Sequence, residues 1–273
     1  MNDVLQKSAA SNEPRGRLDP ESFRQNISFR TYAPPPDLGL FIELFWIIRW
    51  DKIGAQPYIS EQVMHRPYVD VFISDQFSGI QGTFRATRIY TATGSGRIIG
   101  IRFRPGAFHT FWHGQLADTL DKTLNIQLVF PKVDEQYIAD ILSLSDEAAL
   151  AKLAKLVRAK HAGLDPNINL INDIIAAVEI DTSLQTVKAV AQHFNKSERW
   201  LQQLFREYTG IGLKWLLQRS KLLIAAQHIR DSGNPDWAAI AYDCGYSSQQ
   251  YFITDFKRVL GKTPRQYKHS LLK

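Results

Sequence analysis

The stretch IAYDCGYSSQQYFITDFKRVLGKTPRQY, residues 240–267, decides the fold of the C-terminal third of the chain. Apolar residues recur in it at the three- and four-residue spacing of an amphipathic helix, both before and after Gly245. Glycine tolerates the positive φ of a tight turn, and a serine that follows can cap the next helix. The stretch therefore predicts a helix-turn-helix unit in which Ser247 caps the second helix.

The same layout occurs once more, about fifty residues earlier in the chain. Ala191 aligns with Ala241, and each alanine is followed six positions later by a serine, Ser197 or Ser247. The pattern continues with a large apolar residue, a phenylalanine and a glycine: Leu201, Phe205 and Gly210, then Phe252, Phe256 and Gly261. Asn195 can take the turn conformation in the first copy, and the second copy has one extra residue before its apolar position. Two tandem helix-turn-helix units are predicted.

Each predicted second helix leaves a polar face whose residue types suit a nucleic acid. Glutamine can bond adenine bidentately, and arginine can do so with guanine. The candidate DNA-contacting residues are Ser197, Arg199, Gln202, Gln203 and Arg206 in the first unit, and Ser247, Ser248, Gln249, Gln250, Thr254 and Lys257 in the second. Candidate phosphate contacts are Lys214, Arg219, Lys221, Lys257, Arg258, Lys262, Arg265 and Lys268. A solvated helix face would explain one such helix, whereas two capped units of matching layout favour DNA binding.

The distribution of charge supports a polyanionic partner for this part of the chain. The net charge is +6, and residues 184–273 hold 14 basic and 6 acidic side chains, a local charge of +8. The rest of the chain is therefore slightly acidic, at −2. Such an asymmetry indicates electrostatic attraction to a polyanion, although solubility alone would also explain it.

The N-terminal part predicts a different architecture. Short apolar or β-branched runs, punctuated by Gly, Pro and Asp, predict a small β-rich sandwich or barrel over residues 25–113. The runs are Phe41–Trp50, Tyr68–Ile73, Arg88–Thr91 and Ile98–Phe103. Apolar residues at helical spacing predict a helical segment and linker over 114–181, and residues 1–24 predict a disordered tail. The expected fold class is α+β with two domains, the second (182–273) being all-α and homeodomain-like.

Several classes of protein are excluded by composition. Cys244 is the only cysteine of 273 residues, so a disulfide framework within one chain is impossible and a reducing cytoplasm fits. The most apolar run, residues 41–50, is too short to span a bilayer, and residues 1–20 lack an apolar signal core. No membrane association and no cofactor are expected.

At this point the C-terminal third resembles the AraC/XylS family of bacterial transcription regulators. The residues that carry the resemblance are Ile240-Ala241, Cys244-Gly245-Tyr246, Tyr251-Phe252, Phe256-Lys257-Arg258, Gly261-Lys262-Thr263-Pro264 and Tyr267, with Lys221-Leu222, Ala225 and Ile229 in the joining helix. The chain departs from the family pattern at Asn195, Leu213 and Lys221, where glycine, proline and arginine are more usual. The resemblance implies two recognition helices that enter successive major-groove segments, with base contacts near Arg199, Gln202, Gln203, Gln249, Gln250 and Thr254.

The segment Gly100-Ile101-Arg102-Phe103-Arg104-Pro105-Gly106-Ala107 resembles, more loosely, the N-terminal domain found in a subset of these regulators. That resemblance implies a β-rich module that senses a small-molecule effector or mediates homodimerisation. Double-stranded DNA and RNA polymerase are the expected macromolecular partners, and the expected function is regulation of transcription, with activation as one form of it. A module that only dimerises and senses nothing remains an alternative.

Three sets of N-terminal residues allow other functions. His65, His109 and His113 could hold a metal in an enzyme fused to a DNA-binding tail, but the pair His109/His113 is more typical of a helix surface, and no metal site is predicted. Arg102 and Arg104 could pair with an acidic ligand, or lie on an outer face. The aromatic residues Trp46, Trp50, Phe103, Phe108 and Trp112 could line a pocket, although we favour core packing for most of them. Cys244 is interpreted as a buried structural residue.

Overall fold

The N-terminal half is built on one antiparallel sheet of six strands. The computed structural model describes residues 17–63, 66–160, 163 and 165–271. The strands are β1 (Ser28–Tyr32), β2 (Ile42–Gln62), β3 (Val69–Ile73), β4 (Gly79–Gln81), β5 (Arg88–Phe103) and β6 (Thr123–Asn125), in the spatial order β1-β2-β5-β3-β4-β6. The β-rich prediction is confirmed, but the described strands form a single sheet instead of two packed sheets.

Strands β2 and β5 form a long ribbon that is bent in the middle. Their pairing shifts register around Ile53, where Lys52 and Gly94 both have positive φ values of 54° and 57°. The predicted runs Arg88–Thr91 and Ile98–Phe103 therefore belong to one strand. The glycines between these runs predict a break between two strands, but a bulged strand can contain glycine without being interrupted. Residues from both halves of the ribbon consequently face one cavity.

The predicted disordered tail extends too far along the chain. Residues 1–16 lie outside the described part, but helix α1 (Pro20–Asn26) follows Arg17, and Asp19 caps it by accepting a bond from the Ser22 amide. Phe23 is buried against Ile27 and the sheet. An aromatic side chain that finds an apolar partner offsets the entropy of ordering a short polar segment, which composition alone does not reveal.

Among the described residues, α-helices dominate the chain from residue 135 to residue 270. They are α2 (Glu135–Ser143), α3 (Asp146–Arg158), α4 (Pro166–Ile180), α5 (Val187–His193), α6 (Glu198–Thr209), α7 (Leu213–Asp231), α8 (Trp237–Asp243), α9 (Gln249–Leu260) and α10 (Pro264–Ser270). Within the described residues, no helix combines the length and apolarity that a membrane crossing requires. The predicted helical character of residues 114–181 is found in α2 to α4, from residue 135 onward, whereas residues 114–134 contain strand β6 and short 3-10 turns.

Two apolar cores hold these elements together, and both cross the predicted domain boundary at residues 181–182. The larger core joins the sheet, α2 to α4, the helices α5 and α6 and the beginning of α7. The second core joins α7, α8, α9 and α10, and it also contains Leu18 and Val63 from the N-terminal part. Each half of the C-terminal region therefore packs against the N-terminal part separately.

Candidate nucleic-acid interface

The first helix-turn-helix unit consists of α5 and α6. Thr186 caps α5, and Ser197 caps α6 by accepting a hydrogen bond from the Trp200 amide at 3.2 Å. Between the helices Asn195 has a φ of 50°, the left-handed conformation predicted for it. Val190 and Ala191 are buried where the helices cross.

The second unit consists of α8 and α9, and its cap differs from the prediction. Asp236 caps α8, and Gly245 makes the turn with a φ of 71°. Ser248, not Ser247, caps α9, because its hydroxyl accepts from the Tyr251 amide at 3.2 Å. The extra residue of the second copy lies in the turn, so the cap falls three positions after Gly245, whereas it falls two after Asn195. Ser247 is an exposed turn residue.

The predicted base-reading residues lie together on the solvent side of each second helix. In α6, Arg199, Gln202, Gln203 and Arg206 follow the i, i+3, i+4, i+7 spacing of one helix face. All are exposed except Gln202, which is partly buried. In α9, Gln249, Gln250, Thr254 and Lys257 are exposed in the same way. The Thr254 hydroxyl donates to the Gln250 carbonyl at 3.0 Å, so its oxygen can only accept a hydrogen bond from a ligand.

The predicted phosphate contacts divide into available and engaged side chains. Lys214, Lys257 and Arg265 are exposed. Arg219 is only 2% exposed, and the prediction is wrong for it. Its guanidinium donates to the Arg85 carbonyl and lies 5.0 Å from the Trp215 ring, and burial lowers the pKa of Arg219 to about 10.

Other basic side chains already have partners within the protein. Lys262 pairs with Glu61 at 2.7 Å, and Lys268 donates to the Ser232 carbonyl at 2.5 Å. Lys221 donates to the Gly245 carbonyl at 3.3 Å. Arg258 pairs with Asp255 but remains 61% exposed, so it can still reach a phosphate.

A buried carboxylate fixes α9 to the joining helix α7. Asp255 is 3% exposed and accepts hydrogen bonds from Gln218 Nε2 at 2.8 Å and from the Tyr246 hydroxyl at 2.9 Å. Burial, followed by the nearby Asp255 charge, raises the pKa of Tyr246 well above its usual value, so this hydroxyl remains a donor. The network orients the second recognition helix, and no sequence pattern pointed to it.

The first unit docks on the N-terminal part through the end of α6. The His109 ring stacks on Tyr208 with ring centroids 4.4 Å apart, and the Tyr208 hydroxyl donates to Asp165 at 2.6 Å. Gly210, which ends α6 with a φ of 76°, lies so close to the Leu116 carbonyl that a Cβ there would be 2.7 Å from it. This docking leaves the Arg199 face of α6 in solvent.

The second unit docks on the N-terminal part at the end of β2 and the beginning of β5. Lys262 pairs with Glu61, and the Thr87 hydroxyl donates to the Val259 carbonyl at 3.1 Å. Leu18 and Val63 complete the apolar contact. The two recognition helices are thus held on one body by two separate docking surfaces.

A cavity of about 520 Å³ lies inside the curved sheet. Trp46, Trp50 and Arg102 line it, whereas Phe103 and Phe108 belong to the core and Trp112 packs against that core. Arg102 does not lie on an outer face, because it forms a bidentate pair with Asp70 at 2.9 Å. Burial, the largest single influence, would lower the pKa of Arg102, but the charge and hydrogen bonds of Asp70 together with the nearby Tyr68 and Glu43 outweigh it and raise that pKa. Arg104 donates to the Gly39 carbonyl instead, since it follows the end of β5.

Comparison with known proteins assigns the chain to a family. A helix-turn-helix domain model, HTH_18, matches residues 190–270. Regulatory protein SoxS of Escherichia coli K12 is 36% identical over 104 residues, which cover 37% of this chain and 95% of SoxS. The chain belongs to the AraC/XylS family.

Other comparisons cover parts of this AraC/XylS regulator. The HTH-type transcriptional activator RhaR of Yersinia pseudotuberculosis is 32% identical over 117 residues, 42% of this chain and 40% of RhaR. The solved C-terminal domain of AraT, a response regulator from Geobacillus stearothermophilus, is 27% identical over 40% of this chain and 88% of its own, with a TM-score of 0.35. A domain of unknown function, DUF6597, matches residues 30–125. The family assignment rests on SoxS.

The predicted function class is confirmed by these relatives. This AraC/XylS regulator is a DNA-binding transcription factor. The matched helix-turn-helix residues run from α5 to α10 and contain both docked units.

The three candidate metal-binding histidines of this AraC/XylS regulator are not arranged as a pair on one face of a helix. His65 lies outside the described residues. The turn after Gly106 is a 3-10 helix that ends at Thr110, so His113 does not lie one helical turn after His109. Across residues 17–63, 66–160, 163 and 165–271, no group of three or more His, Cys, Asp or Glu could hold a metal ion.

Cys244 of this regulator is buried in the second core, as its sequence context predicted. Burial raises the pKa of its thiol to about 11. A thiol that remains protonated at neutral pH is a poor nucleophile, so this side chain acts as a small apolar residue behind the turn at Gly245.

Proposed function

We propose that α6 and α9 are the base-reading helices and that they enter successive segments of the major groove, about 34 Å apart as for other helix-turn-helix pairs. The observation that carries this proposal is the pair of capped helices whose Arg199 and Gln249 faces stay in solvent while their opposite faces are buried. Arg199 and Arg206 suit guanine, and Gln202, Gln203, Gln249 and Gln250 suit adenine. Lys214, Lys257 and Arg265 suit phosphates.

The assignment of base contacts is tested by affinity for a preferred site and for random duplex. Arg199→Ala and Gln249→Ala are each expected to weaken binding to the preferred site by about 5- to 100-fold, since a bidentate base contact contributes about 1–3 kcal/mol. Binding to random duplex should change by less than about threefold. Lys155→Ala, an exposed charge on α3, is the control and should change neither. Equal loss on both duplexes would assign these side chains to phosphates.

The proposal extends to control of DNA binding by the N-terminal part. Each recognition helix is fixed to that part by its own docking surface, Tyr208 and Gly210 on one side and Glu61 and Thr87 on the other. The N-terminal part therefore sets the distance between the two helices. A change in either docking surface changes the spacing of half-sites that the regulator prefers.

A small-molecule effector in the cavity is the proposed input to this control. Side chains of a strand alternate between its faces. Gln62 lines the cavity, while its neighbours Glu61 and Val63 contact the second unit. Arg88 lines the cavity in the same way, beside Thr87. A ligand that shifts these strand ends acts directly on the second docking surface, with a coupling of about 1–3 kcal/mol as is usual for such links.

The spacing control is tested without any ligand, by binding to the preferred site and to the same site with two base pairs inserted between its halves. The wild type is expected to bind the lengthened site at least tenfold more weakly. Because Glu61→Ala with Thr87→Val removes both polar contacts of the second docking surface, this variant should discriminate several-fold less. Glu21→Ala, an exposed carboxylate on α1, is the control. An unchanged ratio in the double variant would mean that α7 alone sets the spacing.

Two further partners belong to this proposal. RNA polymerase is supported by the relatives, since RhaR is named as a transcriptional activator. A homodimer is supported by Ile59 and Ile89, which are 57% and 66% exposed on the paired strands β2 and β5. Sedimentation of the full chain at micromolar concentration tests the dimer. A location in the cytoplasm, where bacterial DNA lies, completes the proposal.

A further inference from the structure

Two tryptophans form the floor of the cavity in an unusual pairing. Trp46 faces Gly100 and Trp50 faces Gly96 across the β2/β5 ribbon. A Cβ on Gly100 would lie 2.2 Å from the Trp46 ring, and one on Gly96 would lie 2.2 Å from the Trp50 ring. Each indole therefore lies flat against backbone that has no side chain. Both residues line the cavity, although only 8% of Trp46 is exposed.

Two arginines in the same cavity have no carboxylate partner among the described residues. Arg17 donates to the Ser60 hydroxyl at 3.0 Å and lies over the Phe23 and Tyr90 rings. Arg88 donates to the Gln81 side-chain oxygen at 3.3 Å and to the Thr123 hydroxyl at 3.0 Å. Burial lowers the pKa of Arg17, the direction expected for a cation without a counter-charge. The third arginine, Arg102, is neutralised by Asp70.

Hydrogen-bonding capacity is also left over beside the floor. Among the described residues, Trp46 Nε1 is a buried donor without a partner and Glu43 Oε2 is a buried acceptor without one. Both residues line the cavity. Both atoms have almost no accessible surface, so a ligand reaches them only if these side chains shift.

We infer that the cavity binds a small aromatic compound with an anionic group, packed against Trp46 or Trp50, with its negative charge at Arg17 and Arg88. Flat π-faces stack favourably on an indole, and a guanidinium that lacks a carboxylate favours an oxyanion. The volume of about 520 Å³ suits a ligand of one or two fused rings with substituents. This inference rests on the proposed effector control and specifies the chemistry of the effector.

The inference is tested by calorimetry on the full chain with two probes that share a ring system. The probes are 2-naphthoate and its neutral counterpart, 2-naphthylmethanol. We expect 2-naphthoate to bind at least tenfold more tightly. Arg17→Gln and Arg88→Gln should each weaken 2-naphthoate by fivefold or more and leave 2-naphthylmethanol within twofold. At least one of Trp46→Leu and Trp50→Leu should weaken both probes, and Lys155→Gln, an exposed lysine on α3, should change neither.

Three results would overturn the inference. They are equal affinity for the two probes, an unchanged 2-naphthoate affinity in both arginine variants, and no binding of either probe at 1 mM. Circular dichroism of each variant separates lost binding from lost folding, and the two arginine variants are independent of each other. The spacing experiment with Glu61→Ala and Thr87→Val contains no ligand. The spacing experiment therefore tests the proposed control of DNA binding independently of whether the two naphthalene probes bind.

Discussion

Replacing Gly210 by alanine is expected to lower the free energy of unfolding by about 2–5 kcal/mol. Gly210 has a φ of 76°, a conformation that costs a residue with a Cβ about 1–2 kcal/mol. The new Cβ would also lie 2.7 Å from the Leu116 carbonyl and 2.8 Å from the Ala117 amide. Those are backbone atoms, which cannot move aside singly, and overpacking of this kind costs about 1–3 kcal/mol more.

The chain contains a matched control for this prediction. Gly261 occupies the equivalent position at the end of α9, also with a φ of 76°, but no atom of the described residues lies within 4 Å of its added Cβ. Gly261→Ala should therefore cost only the backbone strain. Urea denaturation of both variants measures the difference. Equal losses would mean that the end of α6 is not packed on the Leu116 segment, and the first docking surface would have to be abandoned.

Replacing Asp255 by alanine is expected to cost about 3–5 kcal/mol, as removal of one partner from a buried charged network usually does. The change leaves Gln218 and the Tyr246 hydroxyl without their acceptor inside the second core. The exposed Arg258 loses little by comparison, since it is solvated. Binding to DNA should weaken as well, because α9 is no longer fixed to α7.

Asp255→Asn is the control for that prediction. Its amide keeps the shape of the carboxylate and can accept from Gln218 while donating to the Tyr246 hydroxyl. We expect it to cost about 1 kcal/mol, a typical difference between a charged and a neutral hydrogen bond. Thermal unfolding of both variants measures this. A loss in Asp255→Asn as large as in Asp255→Ala would show that the charge itself, and not the hydrogen-bond network, stabilises the second unit.

The two helix-turn-helix units could be predicted because their signals are local. Turn residues, caps and apolar spacing all lie within about twenty residues of one another, as at Asn195 and Ser197. The cap of α9 was misplaced by one residue because Ser247 and Ser248 are both able to cap. Only the observed turn, with its extra residue, selects Ser248.

The docking surfaces and the cavity could not be predicted because they depend on contacts between distant segments. Lys262 and Glu61 are 201 residues apart in the chain. From the sequence, Arg219 cannot be distinguished from the exposed basic residues of a helix. Only the structure shows that it is buried beside the Arg85 carbonyl. Strand parity placed Arg102 and Arg104 on one face, but the strand ends between them at Phe103. The equal four-residue spacing of Trp46 and Trp50 and of Gly96 and Gly100 was a usable signal for the cavity floor.

Selection of bound sequences from a random duplex pool, with the full chain and with Arg199→Ala and Gln249→Ala, tests most directly whether both units read DNA. We expect the wild type to select an asymmetric site with two conserved blocks about one helical turn apart. Each variant should lose one block and keep the other, and binding should weaken as salt rises because phosphate contacts release counterions. A wild-type site with a single block, or two blocks that persist in both variants, would contradict the account.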